Sequence, residues 1–152
     1  MSGLYFEEFE EGQEFHHALT RTVTEMDNVM FSAMTHNPQP LHLDEEYSKG
    51  TFYGQRIVNS LFTLGLVIGV TVADTTLGTT LGNLGMTNIR FKKPVFHGDT
   101  IRVVTTIKSK RASKSRPGEG IVEFIHTGYN QRDEEIAYVE RTGLMKMKAA
   151  AS

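Results

Sequence analysis

The spacing of apolar residues predicts a first helix near the start of the chain. From Met26 to Met34 apolar residues recur every third or fourth position, which is the period of one helical face. Thr24 precedes this stripe as a candidate N-cap, and Asp27 can complete a reciprocal pair of capping hydrogen bonds. Three of the stripe residues are methionines, so an adaptable binding surface is one interpretation. Core packing is the expected role, because this spacing is how a surface helix buries one face.

A second, longer helix is predicted from Val58 to Val72, and its apolar residues cover all sides. A helix of this kind must be surrounded by protein. Gly65 and Gly69 interrupt it, and each costs about 1 kcal/mol of helix propensity relative to alanine. We therefore expect the backbone of a sheet to approach the helix closely at these two glycines.

The rest of the pattern predicts strands. A short strand lies within Phe15 to Thr24, before the first helix, and four consecutive strands follow the second helix. These four are Thr79 to Phe91, Thr100 to Lys110, Gly120 to Tyr129 and Ile136 to Met147. The order of one strand, helices and four strands indicates an α+β fold with an antiparallel sheet. A curved sheet that wraps the apolar helix would bury both. We expect one domain over residues 1–152, with a frayed tail at Ala149 to Ala151.

Composition and charge exclude several classes of function. The formal net charge is -2 at pH 7, which does not favour a nucleic-acid partner. The chain has no cysteine, so a disulfide framework, a thiolate metal site and a cysteine nucleophile are excluded, and a reducing cytoplasm is expected. The apolar run from Ile57 to Ala73 is broken by polar residues and is shorter than the roughly 20 residues of a membrane span, so no membrane association is expected.

The segment Thr35 to Asp44 concentrates the candidate chemistry. Its sequence is Thr-His-Asn-Pro-Gln-Pro-Leu-His-Leu-Asp, and its two prolines oppose helix formation and favour extended neighbours. We expect a stiff, irregular loop that presents Asn37, Gln39 and His42, followed by a short helical turn at Glu45 to Lys49.

The other five histidines are expected to be structural. They are His16, His17, His36, His97 and His126. Their spacing with carboxylates does not match a metal-binding pattern, so no metal is predicted.

Three motifs, in order, resemble those of the MaoC-like hydratase family. Residues 37–44 are Asn-Pro-Gln-Pro-Leu-His-Leu-Asp, residues 52–60 are Phe-Tyr-Gly-Gln-Arg-Ile-Val-Asn-Ser, and residues 90–99 are Arg-Phe-Lys-Lys-Pro-Val-Phe-His-Gly-Asp. The family pattern is Asp-x-Asn-Pro-x-His, then a glycine-containing turn with Ile-Val-His-Gly, then Arg-Phe-x-x-Pro-Val before a Gly-Asp turn. The likeness spans about Phe15 to Met147. The first two motifs look like a branch resembling itaconyl-CoA or mesaconyl-CoA hydratases.

This resemblance implies a hot-dog fold and a homodimer with sites between the protomers. It implies an acyl-CoA thioester as the small-molecule ligand, and R-specific hydration of an enoyl-CoA double bond or the reverse dehydration. The acyl group would be short, and branched or dicarboxylic. No cofactor is implied apart from the coenzyme A that the substrate carries.

The resemblance also assigns roles to residues, with departures. The family histidine matches His42, but the family aspartate falls on Asn37 and the family asparagine on Gln39. The His-Gly at the start of the central helix becomes Asn59 and Ser60. Since an amide cannot act as a general base at neutral pH, His42 would carry the acid–base work and Asn37 would orient the water.

Hydration of an enoyl thioester builds negative charge on the thioester oxygen. The backbone N–H groups at a helix N-terminus lack intrahelical partners and can stabilise this charge, and the Ser60 N–H is the preferred candidate. The substrate-binding candidates are Gln39, Asn59, Gly54, Arg56, Arg90, Lys92 and Lys93.

Among these candidates, Arg56 could pair with a carboxylate on the acyl group. Arg90, Lys92 and Lys93 could attract the CoA phosphates, in competition with a basic cluster between Lys108 and Arg116.

Two alternatives remain open at this point. A thioesterase on the same fold would aim the water at the thioester carbonyl and release free CoA. A non-catalytic module would hold acyl-CoA without converting it, because Asn37 stands at the position of the family aspartate.

Overall fold

The computed structural model describes residues 3–148, and the predicted fraying of Ala149 to Ala151 lies outside these residues. The helices are α1 (Glu25–Met34), α2 (Pro40–Leu43), α3 (Glu45–Lys49) and α4 (Ser60–Thr75), and a 3₁₀ turn lies at Phe6–Glu8. The strands are β1 (Glu14–His16), β2 (Arg21–Thr22), β3 (Thr80–Arg90), β4 (Thr100–Ala112), β5 (Glu119–Tyr129) and β6 (Glu135–Lys146). The bounds of α1, α4 and β3 to β6 thus agree closely with the sequence pattern, whereas the single strand expected within Phe15 to Thr24 is replaced by two short strands, β1 and β2.

The strands form one open antiparallel sheet, as expected for the α+β class. Its order is β1-β4-β5-β6-β3, and β2 pairs with the start of β4. Helix α4 packs across β4, β5 and β6. Val67 and Val70 of the helix share a buried cluster with Ile101, Val103 and Ile136 of the sheet. Burial of these branched side chains is the main favourable term holding the helix on the sheet.

The predicted start of α1 is confirmed in detail. Thr24 Oγ1 accepts a hydrogen bond from the Asp27 N–H at 3.3 Å, and an Asp27 carboxylate oxygen accepts one from the Thr24 N–H at 2.8 Å. The short helix α3 also lies where it was predicted. Asp44 caps it by accepting from the Tyr47 N–H at 2.9 Å, and it ends before Gly50.

The prediction that the α1 methionines pack in the core is wrong. Met26, Met30 and Met34 are 65%, 53% and 76% exposed. The buried residues of α1 are instead Asn28 and Ser32. The helix turns this polar face inward because the neighbouring backbone offers hydrogen-bond partners there, so burial of the two polar groups is compensated.

Helix α4 is also less enclosed than predicted. Leu61 is 59% exposed, and a Cβ added at Gly65 or Gly69 would meet nothing within 4 Å among the described residues. The expected approach of a sheet backbone to these glycines is therefore wrong. The close contact lies at Gly128 of β5, where an added Cβ would sit 2.6 Å from Val67 Cγ2.

The predicted irregular loop contains a helical turn. Pro40 is the first residue of α2, and His42 is its third. The proline is compatible with this position because the first N–H of a helix has no intrahelical acceptor, so its absence costs no hydrogen bond. His42 thus lies on a helical turn, which the prolines were expected to prevent.

Strand β3 forms one edge of the sheet. Within residues 3–148 it pairs with β6 alone, and its apolar side chains are solvent-exposed. The exposed apolar residues of β3 are Leu81, Leu84, Met86 and Ile89. A long apolar edge with free backbone groups is a template for pairing with another strand.

A buried chain of hydrogen bonds ties the end of α4 to the sheet. His17 Nδ1 lies 2.7 Å from Asp74 Oδ2, and His17 Nε2 lies 2.8 Å from Thr105 Oγ1. The same hydroxyl lies 2.8 Å from His126 Nδ1, and Arg141 donates its Nε–H to His126 Nε2 at 3.0 Å. His17, Thr105, His126 and Arg141 are all buried.

The guanidinium of Arg141 sets the direction of the four hydrogen bonds that run from Arg141 to Asp74. Arg141 can only donate, so His126 Nε2 accepts and the proton of a neutral His126 sits on Nδ1. Thr105 then accepts from His126 and donates to His17 Nε2, which leaves His17 Nδ1–H to donate to Asp74. Burial, and then the Arg141 cation, hold the pKa of His126 well below its ordinary value.

The free energy of unfolding should therefore decrease in mild acid. The unfolded chain takes up a proton at His126 near pH 6.5, whereas the folded chain does so only at lower pH. The stabilisation is complete above about pH 6.5 and is lost as the pH falls below it, by at most about 1.4 kcal/mol per pH unit from this one group. Urea unfolding at a series of pH values from neutral to mildly acidic measures this slope.

The substitution His126→Gln tests this assignment. It should flatten the slope even if it lowers overall stability, because the group with the lowered pKa is removed. An undiminished slope in His126→Gln would contradict the assignment.

Candidate functional site

A cavity of about 620 Å³ opens at the N-terminal end of α4. Ser60 and Thr63 of α4 line it, together with Ile136 of β6 and the segment that follows β3, which includes Lys92 and Lys93. Phe52 and Tyr53 also contribute to the wall, and their rings are in edge-on contact. The cavity therefore combines apolar walls, a helix N-terminus and two cations.

The predicted oxyanion donor lies in this wall. Asn59 is the N-cap of α4, and its Oδ1 accepts a hydrogen bond from the Leu61 N–H at 3.0 Å. The Ser60 N–H has no protein acceptor among residues 3–148, and Ser60 lines the cavity. A free N–H at a helix N-terminus favours negative charge placed near it.

His42 is half-buried beside this cavity, and its ring is held by the backbone. His42 Nδ1 lies 2.9 Å from the carbonyl oxygen of Ile57, a residue that lines the cavity. Because a carbonyl only accepts, Nδ1 carries the proton and the Nε2 lone pair of a neutral ring is free. This is the tautomer a general base needs. His42 itself does not contribute to the lining in this structure.

Asn37 forms a local turn. Its Oδ1 accepts a hydrogen bond from the Gln39 N–H at 3.1 Å, which leaves the two N–H groups of its amide as donors. Asn37 lines a second, smaller cleft of about 300 Å³ together with Ser32 and Leu43, and the Gln39 side chain is exposed. The structure does not bring Asn37 or Gln39 into the larger cavity, so their predicted roles stay predictions.

Arg56 is already neutralised by carboxylates. Its guanidinium lies 2.7 Å from Glu25 and 2.7 Å from Glu45, and its side chain is only 13% exposed. The hydrogen bond that Arg56 donates to Glu25, followed by the one it donates to Glu45, raises the pKa of Arg56. Arg56 thus connects α1 and α3 to the loop before α4 and does not line the cavity. Gly54 is exposed in the same loop, where its φ of +69° fits a turn that favours glycine.

The other predicted cations differ in their availability. Lys93 lines the cavity and has no ion-pair partner within the described part of the chain, whereas Lys92 pairs with Glu135 at 2.8 Å. Arg90 stacks 4.5 Å from the ring centre of Tyr138 and lies outside the cavity wall.

Sequence reasoning missed the side chain that connects these parts. Asn28 is fully buried, and its Nδ2 lies 3.2 Å from the His42 carbonyl oxygen and 3.0 Å from the Ile57 carbonyl oxygen. It also lies 3.0 Å from Nε2 of His97, and Asn28 Oδ1 accepts from the Asn59 N–H at 2.9 Å. The available signal was the pair of small polar residues, Asn28 and Ser32, spaced by four residues on one helical face.

Within residues 3–148, no three His, Asp or Glu side chains are grouped so that they could hold a metal ion. None of the helices in this range combines the length and the apolar character needed to cross a bilayer.

Comparison with known proteins gives a family and related enzymes. The family described as MaoC like domain matches residues 7–130. A protein named mesaconyl-CoA hydratase from Cereibacter sphaeroides is 30% identical over 151 residues, which is 99% of this chain and 43% of that protein. A protein named (R)-specific enoyl-CoA hydratase from Rhodospirillum rubrum is 31% identical over 107 residues, which is 68% of this chain and 69% of that protein. The chain thus spans less than half the length of the first of these relatives.

A solved structure bears on the fold. A protein from Mycobacterium tuberculosis described as having a double hotdog fold superposes with a TM-score of 0.86 at 20% identity. The superposition covers 99% of this chain and 46% of that one. The expected hot-dog fold is confirmed.

Proposed function

The chain belongs to the MaoC-like domain family, and on this premise we propose that it is a hydro-lyase that reversibly adds water to the double bond of an enoyl-CoA thioester. The match confirms the family that the three sequence motifs predicted. The observation that carries the proposal is the hydrogen bond from His42 Nδ1 to the Ile57 carbonyl, since it leaves Nε2 free as a base on a ring bound to Ile57, which lines the same cavity as Ser60.

The proposed reaction uses three groups of the chain. His42 Nε2 takes a proton from water while the water oxygen bonds to the β-carbon of the enoyl group. The negative charge moves to the thioester oxygen, where the Ser60 N–H stabilises the enolate. His42 then returns the proton to the α-carbon, and Asn37 orients the water through its amide. The step needs no electron transfer, so we propose no cofactor besides the coenzyme A of the substrate.

For the substrate we propose a short, branched or dicarboxylic acyl group of the itaconyl-CoA or mesaconyl-CoA type. The relative named mesaconyl-CoA hydratase supports this class. Lys93 and Lys92 are the best-placed cations for the CoA phosphates because both line the cavity. Arg56 is less suited to bind an acyl carboxylate, since Glu25 and Glu45 already compensate its charge.

We also propose that two copies of the chain form a homodimer through β3 and α4. The open apolar edge of β3 and the exposed face of α4 around Leu61, Gly65 and Gly69 support this interface. The double hotdog neighbour supports it too, because this chain covers 46% of a chain that contains two such folds. A second copy would take the place of the second fold and close the cavity from the partner side.

The first test is His42→Ala. Turnover should fall by roughly 10²–10⁴-fold with the fold intact, because the variant loses the only proposed base. Loss of the enoyl-thioester absorbance, with mass spectrometry of the products, measures the rate on crotonyl-CoA and mesaconyl-CoA. His16→Ala, which removes an exposed histidine on β1, is the matched control and should keep full activity.

The products also separate the alternative functions. Full activity in His42→Ala would refute the role of this residue. Free CoA as the product of the wild-type chain would indicate a thioesterase, and tight binding without any product would indicate a binding module.

A second test replaces Asn37 by aspartate, which keeps the acceptor for the Gln39 N–H. A carboxylate at this position should repel a dicarboxylic acyl group. We therefore expect kcat/KM for mesaconyl-CoA to fall relative to that for crotonyl-CoA. An equal change for the two substrates would show that the Asn37 amide does not contribute to specificity.

The dimer is tested by Gly69→Lys. This position has free space in the protomer and lysine favours a helix, so the variant should fold and remain a monomer. Light scattering after size exclusion should give twice 17.0 kDa for the wild-type chain and 17.0 kDa for the variant. Ala33→Lys, on the exposed side of α1, is the control and should remain dimeric. A monomeric wild-type chain, or a dimeric Gly69→Lys variant, would disprove the interface.

A further inference from the structure

We propose that Asn28 is a positioning residue that fixes His42 and the N-terminus of α4 relative to each other. The inference rests on the proposed function of these two elements. All four close polar contacts of the Asn28 amide go to the loop of His42, the start of α4 or the neighbouring His97.

The first relevant contact of Asn28 is with an acceptor that it shares with the His42 ring. The Ile57 carbonyl oxygen lies 2.9 Å from His42 Nδ1 and 3.0 Å from Asn28 Nδ2. A carbonyl oxygen has two lone pairs, so both donors can bind it at once. Asn28 therefore holds the group that orients the imidazole, and its Nδ2 also lies 3.2 Å from the backbone carbonyl oxygen of His42. The ring and its backbone are constrained by the same amide.

The second contact connects this amide to the helix. Asn28 Oδ1 accepts from the Asn59 N–H at 2.9 Å, and Asn59 is the N-cap immediately before Ser60. Asn59 is buried and also donates to the Ser32 hydroxyl at 3.3 Å. A continuous path therefore connects the His42 ring to Ser60. It runs through the Ile57 carbonyl, the planar Asn28 amide and the backbone of Asn59.

The orientation of the Asn28 amide is fixed by its surroundings. A flipped amide would turn its oxygen toward two carbonyl oxygens and its nitrogen toward the Asn59 N–H, which is repulsive on both sides. The two N–H groups of Asn28 face three acceptors, so one N–H is shared between two of them, and His97 Nε2 can accept only while it carries no proton. Burial, followed by the Arg56 cation, lowers the pKa of His97 and favours that state, although Glu25 and Glu45 act in the opposite direction.

The ordinary alternative is that Asn28 only satisfies buried groups and contributes to stability. A buried amide with all its partners does stabilise a fold. The two roles differ in what a substitution changes. Loss of stability alone would lower the melting temperature and leave the His42 tautomer and kcat intact, whereas loss of positioning changes both.

The experiment compares Asn28→Ala and Asn28→Asp with Thr71→Val. Thr71 is fully buried on α4 and donates to the Ile68 carbonyl at 2.8 Å, so its valine variant removes a buried hydrogen bond that does not involve His42 or Asn59. Asn28→Ala should lower kcat for enoyl-CoA hydration by about 10–100-fold with KM changed less than threefold, as expected for a misplaced base. Thr71→Val should lower the melting temperature without changing kcat.

Asn28→Asp adds a pH profile. Its carboxylate keeps an acceptor for the Asn59 N–H but faces the Ile57 and His42 carbonyl oxygens with a second negative oxygen. Protonation gives that oxygen an O–H donor, so the activity of Asn28→Asp relative to wild type should recover as the pH falls. A flat ratio across the pH range would overturn the inference.

An NMR readout separates this inference from the proposed function. The ¹⁵N shifts of His42 should indicate one Nδ1–H tautomer in the wild-type chain and a mixture in Asn28→Ala. An unchanged His42 tautomer in Asn28→Ala overturns the positioning role, whatever the activity. A changed tautomer in a chain that hydrates no enoyl-CoA supports the positioning role and refutes the proposed reaction instead.

Discussion

The packing of α4 against β4, β5 and β6 is the constraint on which the rest of the structure depends. Val67 and Val70 are fully or almost fully buried against the sheet, and Val67 lies so close to β5 that only glycine fits at position 128. Apolar burial of this kind is worth roughly 25 cal/mol per Å² removed from water. This contact fixes the axis of the helix. It thereby fixes where the unpaired N–H groups at the start of the helix point, and the cavity forms around that end.

The two ends of α4 are secured by different polar systems. At the N-terminal end, Asn28 and Ser32 of α1 bind Asn59 and the carbonyls of the neighbouring loop. At the other end, Asp74 is bound to the sheet through His17 and Thr105. Apolar packing fixes the line of the helix axis, but it resists sliding along that axis less well, because dispersion and the hydrophobic effect are not directional. The hydrogen bonds supply the register, so the Ser60 N–H occupies one place relative to His42.

Most of the fold could be predicted from the sequence, because a period of two or of 3.6 residues reports secondary structure directly. The strands, the capping of α1 by Thr24 and the position of His42 in a proline-containing segment all followed from local patterns. The exposure of Met30 and the open space at Gly69 did not follow, because a local pattern shows that a face is apolar and not what covers it. The sequence likewise could not reveal that Arg56 is neutralised, since Glu25 is 31 residues away in the chain. Asn28 was missed for the same reason: its partners are 14 to 69 residues distant.

The directional hydrogen bonds from Arg141 to Asp74 have a consequence for how this family member can change during evolution. Each of the three central groups, His126, Thr105 and His17, donates once and accepts once, so reversing or deleting any one of them leaves its neighbours mismatched. A serine could replace the threonine hydroxyl, but a valine could not. The five positions from Arg141 to Asp74 should therefore be substituted together or stay unchanged. Lineages that lose the arginine should also have replaced its hydrogen-bonded partners with apolar side chains.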